Sequence, residues 1–144
     1  MIKFLKEIKD YIIIVVVVIL IRTFIVTPAI VDGDSMNNTL LDGNLVLINK
    51  ITYRINDINR FDIVVLKNDT DNDRIIKRVI GLPNEKIEYK DNKLYINDKE
   101  VKLDIEFPDT NDFVTETKDN EYFVLGDNRE VSKDSRILGN FTKD

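Results

Sequence analysis

Apolar and polar positions follow two different rhythms along this chain. From Tyr11 to Ile21 eleven residues run without a polar break. Arg22 and Thr23 interrupt, and Phe24, Ile25 and Val26 complete a stretch of sixteen residues. A spanning helix wants about 20 residues, and Arg22 near the far end has a stem long enough to reach the interface. Valine and isoleucine favour a strand in water. In lipid the backbone must satisfy its own hydrogen bonds, so the pattern predicts a transmembrane helix over residues 11–27, stopped by Pro28.

After Pro28 the rhythm shortens. "NLVLINKI", "FDIVVLK", "DRIIKRVIGL", "EKIEYK", "NKLYIN" and "EYFVLG" are short β-type runs separated by turn signals. "YKDNKLY" predicts a hairpin with Asp91 and Asn92 at its turn, and Asn97-Asp98 predicts another turn before "KEV". No long stretch after residue 30 has a 3.6-residue period. Residues 102–120 are polar and irregular and predict a surface loop. Residues 28–144 thus form one mostly β domain, large enough for a core.

Charge sharpens this division. The 144 residues carry a net −5, but residues 1–30 hold +2 and the remaining 114 hold −7. An acidic body argues against nucleic acid as a partner, since phosphate binding needs a basic face. Lys3, Lys6 and Lys9 precede the apolar run and only Arg22 interrupts it, which predicts a cytoplasmic N-terminus at residues 1–10 and an exported body. A basic start, an apolar centre and "TPA" at residues 27–29 fit a cleavable signal peptide equally well.

There is no cysteine and no histidine. That excludes a disulfide framework, a thiol nucleophile, a Ser-His-Asp triad and a His-ligated zinc. Among nucleophilic mechanisms there remains a serine or threonine activated by a lysine or an α-amine.

Three segments supply such groups. "GDSMNNTL", residues 33–40, sets Ser35 on a Gly/Asp turn just past the membrane exit. "RIIKRVIGLPNE", residues 74–85, puts Ile75, Lys77 and Val79 on one strand face and Ile76, Arg78 and Ile80 on the other. Lys77 thus lies between apolar neighbours, whereas Arg78 points away, so Arg78→Lys is expected to cost little chemistry. At pH 7 only about one free lysine in 2,500 is neutral. A working base needs its pKa to fall roughly 2–3 units, about 3–4 kcal/mol, which burial can supply. "GDNREVSKDSR", residues 126–136, is dense in hydrogen-bonding groups that can brace a site, and Asp134 and Arg136 are spaced to pair.

In this order the segments resemble the bacterial type I signal peptidases, particularly the short Gram-positive kind. "VDGDSMNNTL" is similar to the family's nucleophile segment, "KRVIGLPNE" to its general-base segment and "LGDNREVSKDSR" to its C-terminal box; "FDIVVLK" is similar to an intervening strand. The resemblance implies a β domain of antiparallel sheets behind one N-terminal transmembrane helix. It implies a membrane-anchored endopeptidase that cuts signal peptides from exported preproteins at the lipid bilayer, with no metal or cofactor. Ser35 is then the nucleophile and Lys77 the base. Ser132 orients Lys77, Asp134 and Arg136 form a buried supporting ion pair, and Gly126 belongs to the same box. Gly33, Met36 and the Ser35 amide border the oxyanion and substrate. Some members carry a serine at the Gly33 position, proline is frequent at Asn38, and glycine is usual at Asn84. The resemblance also implies a C-terminus shorter than usual. Another Ser/Lys peptidase of the self-cleaving repressor type, or an anchored β domain that binds without cutting, are the rival readings.

Overall fold

The computed structural model describes residues 2–68, 73–102 and 109–143. The chain divides into two compact units: Met1–Ile30 with Leu45–Asp57, and Val31–Asn44 with Ile58–Asp144.

The first unit holds helix α1 (Ile2–Phe24), strands β1 (Val26–Ile30) and β2 (Leu45–Asn49), and the single turn α2 (Thr52–Ile55). Tyr11 to Ile21 are exposed around the circumference of α1. Among the described residues no helix is long and apolar enough to cross a membrane. Pro28 does not end α1, contrary to the sequence expectation. The helix stops at Phe24, and Pro28 lies inside β1, opposite Leu47 of β2. A two-stranded sheet has only edge strands, where a missing N–H is tolerated. The last carbonyls of α1 find partners beyond the helix: the Thr27 hydroxyl donates to Arg22 at 3.1 Å, and the Lys50 ammonium donates to Thr23 at 3.1 Å. Such capping satisfies acceptors that a helix end leaves open.

The second unit is built of two antiparallel four-stranded sheets. Along the chain come β3 (Ile63–Lys67), β4 (Arg74–Gly81), β5 (Lys86–Lys90), β6 (Lys93–Ile96), β7 (Lys99–Val101), β8 (Phe113–Glu116), β9 (Glu121–Leu125), the turn α3 (Ser135–Leu138) and β10 (Phe141–Thr142). One sheet has the order β10-β9-β4-β3 and the other β7-β6-β5-β8. The six β-type runs read from the sequence all become strands. Both turns form where expected, with positive φ at Asp91, Asn92, Asn97 and Asp98. That geometry suits the two-residue hairpin, and Asn and Asp tolerate it better than most residues.

Residues 102–120 are a correction, because part of the supposed loop is β8, paired with β5. Its "FVTE" is too short for an alternation to stand out between polar flanks. Residues 103–108 of that segment lie outside the described residues.

The core lies where the two sheets meet. Ile80 of β4 and Phe123 and Leu125 of β9 cluster with Ile87 and Tyr89 of β5 and Leu94 and Ile96 of β6. The alternation of apolar and polar residues in β5 and β6 sends one face of each strand into this cluster. Burying side chains of this size contributes about 1.5–3 kcal/mol each. The β4–β9 register shifts between Val79 and Gly81, a bulge beside the residues of interest. Arg60 fixes the end of β4. It grips Glu85 at 2.6 and 2.9 Å and donates to the Ile80 carbonyl at 2.6 Å. Asn84 has φ +61°, which explains why glycine or asparagine suits that turn.

Candidate active site

Ser35 lies in a run of tight turns over residues 33–40. The Met36 carbonyl accepts from the Thr39 and Leu40 N–H groups at 3.0 and 2.8 Å, which closes the turn behind the serine. Met36 itself is 1% exposed and forms a floor beneath this turn rather than an open surface. Gly33 has φ +95°, with its N–H on Asp42 at 2.8 Å and open space where a Cβ would stand. Asn38 has φ +85°, a conformation closed to proline, so this turn departs in backbone from one that carries proline there. Among the described residues the Ser35 N–H makes no hydrogen bond.

β4 brings Lys77 to the serine. In the β3–β4 register Lys77 stands opposite Val64, a buried apolar residue. Lys77 is 3% exposed, and its Nζ lies 2.7 Å from Ser35 Oγ. The same nitrogen donates to the Ile76 carbonyl at 2.9 Å. Burial pushes the Lys77 pKa below its ordinary value, and the nearby Asp134 carboxylate partly opposes that shift. A neutral amine in this position donates one N–H to Ile76 and offers its lone pair to the serine O–H.

The segment after β9 wraps the other side. The Asn128 N–H donates to the Ser35 carbonyl at 3.0 Å. Gly126 packs so closely that a Cβ there would fall on Ser132 Cβ and Oγ and on the Ser35 carbonyl. Ser132 is buried and its Oγ has no hydrogen-bond partner among the described residues, so it does not bond Lys77. Asp134 is fully buried. It accepts from the Gly126 N–H at 3.0 Å and pairs with Arg136 Nε at 2.8 Å, while caps of α3 come from the same carboxylate. The Asp134–Arg136 pair is therefore only partly buried, with the arginine at its rim.

Arg78 points away from Lys77, as the alternation predicts, and into protein. Its guanidinium grips Asp127 at 2.9 and 2.7 Å and donates to the Phe61 carbonyl at 2.9 Å. Thr39 Oγ1 donates to the same Asp127 carboxylate at 2.5 Å. One buried carboxylate thus joins the Ser35 turn, the strand of Lys77 and the loop of Ser132. The sequence reading missed this hub, although Asp127 and Thr39 both stand inside the segments it singled out.

Comparison with known proteins is consistent across sequence and fold. Residues 4–144 match the family described as signal peptidase, peptidase S26. The chain is 44% identical over 149 residues to signal peptidase I S of Bacillus subtilis, covering 94% of this chain and 80% of the relative. It is 38% identical over 165 residues to signal peptidase IB of Staphylococcus aureus, covering 96% and 85%. A crystal structure of a signal peptidase I from Enterococcus faecalis is similar with a TM-score of 0.55 and 36% identity, over 61% of this chain and 92% of that one.

Proposed function

The chain belongs to the bacterial type I signal peptidases of the S26 family, and we propose that it cuts signal peptides from exported preproteins with a Ser35/Lys77 dyad while held at the membrane by residues 11–27. The observation that carries the chemistry is the 2.7 Å approach of a buried Lys77 to Ser35 Oγ.

Neutral Lys77 takes the Ser35 proton as Oγ bonds to the scissile carbonyl carbon. The oxygen that gains charge is met by the uncommitted Ser35 N–H. Collapse breaks the C–N bond, and Lys77 returns its proton to the leaving amine. Lys77 then takes a proton from water as the water attacks the acyl ester, and returns that proton to Ser35 Oγ as the ester C–O bond breaks. Burial suits the lysine to both roles. It makes the neutral form accessible, and the transient ammonium is steadied by Asp134.

An extended preprotein segment fits beside β4. β9 pairs with β4 only from Arg78 onward, which leaves the β9 side of residues 74–77 without a strand partner among the described residues. A strand added there runs past Lys77 and presents alternate side chains to the surface, as small residues at the first and third positions before the cut require.

The anchor reading rests on the apolar run, the exposure of its side chains and the lysines before it. An anchored enzyme and an anchored substrate share a surface, which raises their effective concentration. The deciding experiment is preprotein processing by the detergent-solubilised chain beside Ser35→Ala. More than a trace of turnover in the alanine variant, in a preparation free of host enzyme, sinks the assignment.

A further inference from the structure

Arg129 lies in the same loop, is 4% exposed, and takes no part in the steps above. Its Nε donates to the Gly126 carbonyl at 3.0 Å, and its Nη1 donates to Thr110 Oγ1 at 2.6 Å. The guanidinium also stands 5.1 Å from the centre of the Tyr89 ring. We propose that Arg129 is a positioning residue: it fixes the Gly126 peptide, and with it Ser132 and the Ser35 carbonyl, by tying the loop to Thr110.

The near end matters because Gly126 has no slack. Asp134 holds its N–H and Arg129 its C=O, so both of its peptide groups are pinned. The Ser132 side chain and the Ser35 carbonyl fill the space a Cβ would need. A rotation at Gly126 therefore moves the two serines together.

The far end matters because it is stiff. The Thr110 N–H donates to Asn92 Oδ1 at 3.0 Å, and Asn92 Nδ2 donates to Asp109 Oδ1 at 2.7 Å. Asn92 sits in the β5–β6 turn, where the Asp91 N–H also reaches Asp112 at 3.1 Å. Residues 109–112 are thereby fastened to a hairpin of the second sheet, whose Tyr89 belongs to the core. This gives a role to part of a segment that the sequence left without one. Only arginine suits the strut. Its planar fork bonds two acceptors at a fixed angle and lays a flat face on an aromatic ring, whereas lysine offers a point charge.

The consequence for Lys77 follows from its surroundings. It faces Ser35 Oγ, the Ile76 carbonyl, the charge of Asp134 and, across β3, the uncharged Val64; the Arg78–Asp127 pair occupies the other face of β4. A loosened loop admits water, which relieves the desolvation of the ammonium and moves its titration upward.

The test uses the full chain in detergent, labelled at lysine Cε, as wild type, Arg129→Met, Arg129→Lys, Thr110→Val and Thr110→Ser. NMR follows the titration of Lys77, and preprotein assays give kcat and KM. In Arg129→Met the Lys77 midpoint should rise and kcat should fall about 10–100-fold with KM unchanged, the usual size for a supporting group. Arg129→Lys should not restore either value. Thr110→Val should shift both in the same direction by less, and Thr110→Ser should restore them. An unchanged midpoint in Arg129→Met and Thr110→Val overturns the proposal. So does a loss of kcat that accompanies lowered Tm alone. If Arg129→Met does not fold, the Thr110 pair decides. The activity readout rests on the peptidase reading, but the titration does not. A wild type that cuts nothing would refute that reading and leave the strut to be judged by the Lys77 midpoint.

Discussion

Arg78 and Asp127 form a buried two-point ion pair, with side chains only 6% and 4% exposed. They lie 49 residues apart in the chain, and their contact locks the strand of Lys77 to the loop of Ser132. Thr39 joins the same carboxylate from the Ser35 turn.

Breaking that pair from one side should therefore be costly. Arg78→Met leaves a buried carboxylate uncompensated and is expected to destabilise by about 3–5 kcal/mol. Arg78→Lys should also destabilise, because an ammonium cannot make both bonds at once. Removing both charges in Arg78→Met/Asp127→Leu should cost less than the two single changes together. Denaturant unfolding of the wild type, Arg78→Met, Asp127→Leu and the double variant checks this coupling, and additive losses would contradict it.

Lys77 has opposite consequences for rate and for stability. Its pKa is lower in the folded chain than in the unfolded one, so between those two values the unfolded state binds more protons. Stability should then rise with pH across that window, which ends near the ordinary lysine pKa, and the cost of burial is complete below it. Lys77→Met should be more stable than wild type at neutral pH and should lack this rise. Thermal unfolding against pH measures both.

On the proposed mechanism the rate follows the deprotonated form of Lys77. kcat/KM should fall on the acid side with a midpoint below the free-lysine value, as only neutral Lys77 accepts the Ser35 proton. Lys77→Arg should be as inactive as Lys77→Ala, since arginine stays charged. An active Lys77→Arg enzyme would move the base to another group.

Gly126→Ala and Gly33→Ala should separate crowding from strain. At Gly126 the new methyl meets Ser132 and the Ser35 backbone, so activity should fall steeply while circular dichroism still reports a β fold. At Gly33 the space is open and only φ +95° opposes a side chain. That costs on the order of 1–3 kcal/mol of stability and should spare most turnover per folded molecule.

The N-terminal segment should remain attached in the mature protein. Mass spectrometry of the membrane-extracted chain should find residues 11–27 present. A mature N-terminus at Ile30 would show that "TPA" had been cut and that the segment is a leader.

What could be read from the sequence was local. Alternation in "KIEYK" and "KLYI" encodes strand geometry because each side chain's face depends only on its neighbours. The Asp91-Asn92 and Asn97-Asp98 turns were legible because few residues accept positive φ. The absence of histidine, with the order of three segments, singled out Ser35 and Lys77 before any contact was known. Where α1 stops was not legible, since Thr27 and Lys50 cap it rather than Pro28. Nor was β8, whose four residues become a strand only by pairing with β5. The 2.7 Å approach of Lys77 to Ser35, the Arg78–Asp127 pair and the crowding at Gly126 belong to tertiary structure alone. They join residues 42, 49 and about 90 positions apart, and no local rule links such positions. Only closure of the two sheets on a shared core brings those groups within bonding distance and removes water that favours the charged form of Lys77.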